Sequence, residues 1–119
     1  MRQKGLAFER RAAAYLEDRG VHILVSNFSA RTGEIDLVGL DDDALVFFEV
    51  RARSNPRFNS ASGSVDRRKQ QRLLRTAQYF LQRYPRLADR PCRFDVIAFE
   101  PPQSGTELDI HWIRGAFTA

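Results

Sequence analysis

Two short apolar segments, 34–40 and 44–53, separated by Asp41-Asp42-Asp43, constrain this chain more than any other stretch. In both, polar residues alternate with Ile, Val, Leu or Phe, the pattern of a half-buried strand. Three consecutive aspartates between two such runs read as a tight turn, so the segments are expected to pair as an antiparallel hairpin. Alternation puts Glu34, Asp36 and Val38 on one face of the first strand, and Phe47, Glu49, Arg51 and Arg53 on one face of the second. A hairpin centred on the aspartates sets Asp36 across from Glu49 and Glu34 across from Arg51. Carboxylates facing each other in this way lie roughly 5 Å apart at Cβ, where like charges destabilise a sheet unless a cation sits between them. Oxygen donors at that spacing suit a hard divalent metal such as Mg²⁺ or Mn²⁺.

The rest of the chain supplies enough material for one core. It has 119 residues, 43% of them hydrophobic, which is most economically a single domain over 1–119. The basic start, Met1-Arg2-Gln3-Lys4-Gly5, is followed by Glu9, Arg10 and Arg11 before any apolar run can form, so no signal peptide is read. The uninterrupted apolar stretch from Ala44 to Phe48 is far short of the ~20 residues of a spanning helix, and no membrane partner is expected. Cys92 is a lone cysteine, which excludes an internal disulfide and fits a reducing cytoplasm. It is read as packing.

Charge is segregated. The net charge of +4 divides into +10 between Arg51 and Arg93 and −6 over the remainder. A basic half beside an acidic cluster can hold a polyanion while the acids hold a metal that works on it. The competing reading is a set of solvated arginine faces.

The coarse order of elements is αβββαββ. A helix over 4–19 has Phe8, Ala12, Tyr15 and Leu16 at helical spacing, Glu9 at the border of that stripe, and Gly20 as its stop signal. Val21 to Phe28 is the first strand, and the hairpin strands follow. Ser54 to Ser64 is a polar loop long enough to contact a substrate. A second helix, about Val65 to Tyr84, buries Leu73, Ala77, Phe80, Leu81 and Tyr84, and Pro85 ends it. Arg68, Arg72, Arg75 and Arg83 lie away from that face, whereas Lys69 and Gln70 flank it and can point back across the sheet. Strands over Arg93–Phe99 and Leu108–Ile113, separated by Pro101-Pro102-Gln103-Ser104-Gly105, complete a mixed sheet with helices packed against it. His22 and His111 have no Cys or His at ligand spacing and are read as structural. Asp95 is expected to pair with an arginine, and Phe47, Phe48, Phe80, Phe94 and Phe99 to be core.

The pattern Gly5, Glu9, Ala12, Tyr15-Leu16, Gly20, then Asn27, Gly33-Glu34-Ile35-Asp36-Leu37, Val46-Phe47-Phe48-Glu49-Val50, Lys69 and Arg93-Phe94-Asp95-Val96 resembles the bacterial YraN family of uncharacterised small proteins over nearly the whole chain. That family is similar to archaeal Holliday junction resolvases and the PD-(D/E)xK nuclease superfamily. The resemblance implies a restriction-endonuclease-like α/β core and a metal-dependent endonuclease acting on DNA, branched or structured DNA in particular. The alternative is a catalytically impaired protein of the same fold that binds nucleic acid without cutting it. It assigns Asp36 and Glu49 as metal-binding acids, with the Val50 carbonyl and Glu9 as further ligands, while Glu34 orients a water or pairs with Arg51. Arg53, Arg67, Arg68, Arg72 and Arg75 are candidate phosphate contacts. A homodimer is a candidate assembly because resolvase-like enzymes act on paired strands.

One position departs from the superfamily pattern. Arg51 stands where that pattern ends in Lys, and a guanidinium stays protonated where a lysine can exchange a proton. With seventeen Arg and two Lys in the chain, drift toward Arg at an idle site is one explanation. The other is that Lys69 supplies the mobile amine from the neighbouring helix while Arg51 holds phosphate.

Overall fold

The computed structural model describes the backbone of residues 2–52, 65–100 and 109–117, with side chains from residue 6 onward. Helix α1 spans Arg2–Asp18 and is closed by a backbone motif that glycine makes possible. Gly20 has φ +93°, its amide donates to the Glu17 carbonyl at 3.1 Å, and the Val21 amide donates to the Leu16 carbonyl at 3.0 Å. This crossed pair satisfies two carbonyls at the helix end, and Val21 and Leu16 are buried in the same core cluster beside it.

The chain then enters a three-stranded meander of β1 (His22–Ala30), β2 (Gly33–Asp41) and β3 (Ala44–Ala52). Pairing of β2 with β3 runs from Asp41↔Ala44 to Leu37↔Phe48, in the expected register, but stops short of the expected Asp36–Glu49 and Glu34–Arg51 pairs. The turn is Asp42-Asp43, and Asp42 takes φ +55°, a conformation aspartate tolerates. Gly39 is a close-approach site, since a Cβ there would stand 2.9 Å from the His22 carbonyl oxygen on β1.

Helix α2 (Arg67–Arg83) connects β3 to β4 (Cys92–Glu100), which lies parallel to β3, and β5 (Asp109–Phe117) returns antiparallel. The strand order is β1-β2-β3-β4-β5, one mixed sheet. Asp66 caps α2 by accepting from the Lys69 amide at 2.8 Å. After Tyr84, Pro85 starts a single 3-10 turn, Pro85–Leu87. The polar loop expected at Ser54–Ser64, the Pro101–Gly105 turn and Arg53 lie outside the described residues.

Both sheet faces are covered, as a sheet containing a parallel pair requires. On one face Val38, Leu45, Phe47, Phe94 and Val96 pack with Leu73, Ala77 and Phe80 of α2. On the other, Leu37, Val46, Phe48, Ile97 and Phe99 pack with Ala12 and Leu16 of α1. All five phenylalanines expected in the core are there. Two packing expectations are corrected. Tyr84 is exposed, because the helix ends there and its ring lies on the outside of Phe80, 4.7 Å away. Cys92 is also exposed, at the first residue of β4 where the strand emerges from the core.

Regular alternation breaks in β2. Ile35 belongs to the α2-side core and Leu37 to the α1-side core, although they are two residues apart. Opposite this break, between the pairs Ser26↔Leu37 and Phe28↔Ile35, Asn27 holds φ +57°. Asp36 sits at the break.

The junction of β4 with its neighbours is fixed by Asp95, 1% exposed. It accepts from Arg93 Nε at 3.0 Å, Trp112 Nε1 at 2.8 Å and the Gly115 amide at 2.9 Å, while Arg93 Nη2 also reaches Asp41 at 2.7 Å. The expected Asp95–arginine pair is thus part of a clamp joining β2, β4 and β5. Removing one partner of such a pair leaves an uncompensated buried charge. Asp95→Ala is therefore expected to lower unfolding stability by about 3–5 kcal/mol in urea denaturation, against less than ~1 kcal/mol for the exposed Asp43→Ala.

Candidate functional site

The acids of the hairpin converge where its strands part. Beyond Leu37↔Phe48 the recorded β2–β3 pairing stops, and the Val50 amide donates to Asp36 Oδ2 at 2.8 Å. Asp36 therefore occupies a position facing both helices. Glu9, buried on α1 at 6% exposure, shares a hydrogen bond with Asp36, and Glu49, 5% exposed on β3, adds its charge from the other side. Asp36 is raised from the usual 3.8 to about 8, first by burial, then by the charge of Glu49, with Glu9 adding to it and the Val50 amide opposing it.

Cations reach the cluster from two directions. Lys69, in the first turn of α2, places Nζ 2.7 Å from Glu49 Oε2. Arg51, two residues along β3, places Nη1 3.2 Å from the same oxygen. The helix-borne lysine thus lies closer to Glu49 than the strand arginine does. Gln70 does not cross the sheet but donates to the Val65 carbonyl at 2.9 Å. Ser29 Oγ donates to Glu34 at 3.2 Å, holding that acid at the rim.

These side chains open onto a pocket of about 180 Å³ lined by Gly33, Glu34, Asp36, Glu49, Lys69, Arg72 and Leu73. Arg67, Arg68, Arg72 and Arg75 are exposed along α2. The sequence reading did not pick out Thr76, which is fully buried. Its hydroxyl donates to the Arg72 carbonyl at 2.8 Å and lies 2.7 Å from Thr32 Oγ1, tying the β1–β2 turn to α2 at the pocket edge. The signal was the spacing Leu73, Thr76, Ala77, Phe80, one buried face with a hydroxyl in it.

The donor set fits a hard cation in kind: oxygen ligands only, crowded acids, and a carboxyl whose ionisation burial opposes. Asp36 and Glu49 are the pair that would hold it. Glu9 and Val50 adjoin Asp36. Among the described residues, however, no three His, Cys, Asp or Glu side chains form a ready-made metal cluster, and Glu49 Oε2 is already engaged by Lys69 and Arg51. His111 lies 3.7 Å from Glu100, and His22 is exposed at the start of β1, both far from ligand geometry with these acids.

The fold and site together define a small mixed α/β protein with buried or half-buried acids from two strands and a helix, faced by a basic helix. The chain belongs to the family described as Uncharacterised protein family UPF0102, which matches residues 8–99 and is the YraN family that the sequence pattern resembles. It is 49% identical to a UPF0102 protein of Stutzerimonas stutzeri (strain A1501) over 113 residues, 95% of this chain and 92% of that one. A UPF0102 protein of Halorhodospira halophila is 49% identical over 116 residues, 98% of this chain and 88% of that one. UPF0102 protein XCV0816 of Xanthomonas euvesicatoria is 48% identical over 117 residues, covering 98% and 93%. Among the described residues no helix is long and apolar enough to cross a membrane.

The raised Asp36 carboxyl has a consequence for stability. The folded state holds that proton up to about pH 8, whereas the unfolded chain releases it near 3.8. Its contribution is complete below 3.8 and is lost as pH rises through about 8, so metal-free stability falls across that window. The slope is at most about 1.4 kcal/mol per pH unit. Asp36→Asn, a neutral isostere that still accepts from Val50, is expected to flatten this slope and to be more stable than the parent at pH 8. Chemical denaturation of both proteins at pH 5 and pH 8 in chelator measures the difference.

Proposed function

We propose that this protein is a divalent-cation-dependent nuclease acting on DNA, with a restriction-endonuclease-like core and Mg²⁺ or Mn²⁺ as the cation. The observation that carries this reading is Lys69 Nζ 2.7 Å from Glu49 Oε2, with Glu49 beside the raised carboxyl of Asp36 in an open pocket. Support for the core comes from the order of elements: a helix, a three-stranded meander, a helix and two strands.

Asp36 and Glu49 would hold the cation, with Glu9 and the Val50 carbonyl as further oxygens. When bound, the cation lowers the pKa of a water and stabilises charge on phosphoryl oxygens. The protein's own groups divide the remaining work. Lys69 is an amine on a flexible stem, able to exchange a proton with a nucleophile or leaving oxygen. Arg51 stays protonated and stabilises charge on the phosphate. Glu34 at the rim orients a water. Arg67, Arg68, Arg72 and Arg75 contact the backbone of the nucleic acid, as does Arg53, and a homodimer would present two such sites to paired strands.

A second reading, a binding protein that does not cleave, is favoured by one observation. Glu49 Oε2 is already neutralised by two cations, so the site can persist without a metal. It predicts salt-sensitive DNA binding that chelator leaves unchanged.

The two readings separate in a cleavage assay on linear, flapped and four-way DNA. The nuclease is expected to cut with Mg²⁺ or Mn²⁺ and to lose cutting in Asp36→Ala and Glu49→Ala. Lys69→Ala should lower the rate by about 10²–10⁴-fold, the usual weight of a general acid or base. Arg51→Lys should gain cleavage if the site is impaired and lose it if the guanidinium is used as it stands. No cutting of any of these substrates with either ion, beside chelator-insensitive binding, would establish the binding protein instead.

A further inference from the structure

One carboxylate oxygen in the pocket does more than one task. Glu49 Oε2 accepts both Lys69 and Arg51, and the glutamate is buried behind them, 6% exposed, while the Lys69 side chain keeps 34% exposure. The ammonium therefore sits at the pocket mouth with its acid underneath. Arg72 lines the same pocket three residues further on, and that spacing puts the two cations on one helical face. The Thr32–Thr76 contact holds this part of α2 over the start of β2. Gly33 lies between, with φ +148°, where a Cβ would come within 3.5 Å of Thr76 Oγ1 and 3.9 Å of Arg72 Cβ.

A divalent cation contacts a carboxylate oxygen at roughly 2.0–2.6 Å. An ammonium on that same oxygen would then stand within about 5 Å of a double positive charge, so the two compete. We propose that Lys69 and Arg72 form a phosphate subsite that Glu49 keeps closed until a divalent cation takes its oxygen, so that cation and phosphodiester bind cooperatively. This rests on the reading of Asp36 and Glu49 as cation ligands. The cation releases Lys69 from Glu49, and the freed ammonium joins the Arg72 guanidinium in facing an anion. A phosphodiester drawn to that pair in turn takes Lys69 away from Glu49. By linkage, the factor by which phosphodiester tightens cation binding equals the factor by which the cation tightens phosphodiester binding.

The test is Mn²⁺ binding to the intact protein, followed by the loss of free-ion electron paramagnetic resonance signal, with and without dimethyl phosphate as a diester that carries no base. In the parent protein the diester should tighten Mn²⁺ binding about tenfold, within the usual range of coupling. Lys69→Met and Lys69→Gln should bind Mn²⁺ alone about tenfold more tightly than the parent and should respond to the diester less than about twofold. Arg83→Met removes a charge from the far end of the same helix and should match the parent, which separates competition at Glu49 from net charge. If both Lys69 variants bind Mn²⁺ no more tightly than the parent while Glu49→Gln abolishes binding, the closed subsite is wrong and the cation site stands. If no protein binds Mn²⁺ with or without diester, the cation reading falls and this inference with it.

Discussion

Like charges brought together out of water set the terms for this structure. Asp36, Glu49 and Glu9 come from two strands and a helix and are buried or half-buried in one place. Left alone they would repel, and three features of the chain relieve that repulsion. Asp36 keeps its proton to about pH 8, the Val50 amide turns toward it, and Lys69 and Arg51 neutralise Glu49. Each depends on placement. The Asp66 cap fixes the first turn of α2 and so positions Lys69, and β2–β3 pairing that ends at Leu37↔Phe48 leaves the Val50 amide to Asp36.

Asp95, whose register partner Phe48 adjoins Glu49, shows a different solution to the same problem. Asp95 is as deeply buried as any acid here, yet its oxygens accept from a guanidinium, an indole and a backbone amide. Its hydrogen-bonding capacity is used and its charge compensated, as expected of a structural acid. Arg93 is raised above its ordinary value, first by its hydrogen bond to Asp95, which agrees with a locked pair. By contrast, the Asp36 cluster relieves its repulsion partly by keeping a proton on one acid.

Much of this was legible because the governing signals are local. Alternation and three aspartates were enough for the β2–β3 register, and Gly20 and Pro85 punctuated the helices. Lys69 was readable as a residue that could reach the sheet, because it lies one turn before Leu73 on the buried stripe. What escaped depended on tertiary context. Asn27 is of a type that tolerates the left-handed region, but its place in a run of strand formers hid that conformation, and the loss of alternation between Ile35 and Leu37 lies opposite it. Cys92 and Tyr84 were misplaced because residues at element ends are exposed by the path of the chain and not by their own polarity. Thr76 was overlooked since its partner, Thr32, lies in a distant turn.

The sequential strand order concentrates the chain's topological difficulty in a single closure. Contacts between β1, β2 and β3 are made across short turns, whereas the parallel contact of Leu45 with Cys92 must enclose all of α2. Entropy lost in that closure is recovered when β4 docks and α2 settles on the sheet. The Asp95 clamp needs β5 as well, which carries Trp112 and Gly115, whereas Lys69 meets Glu49 through α2 and β3. The described residues that line the pocket come from β2, β3 and α2, so the acids meet Lys69 once α2 reaches the hairpin, while the Asp95 clamp waits on β4 and β5.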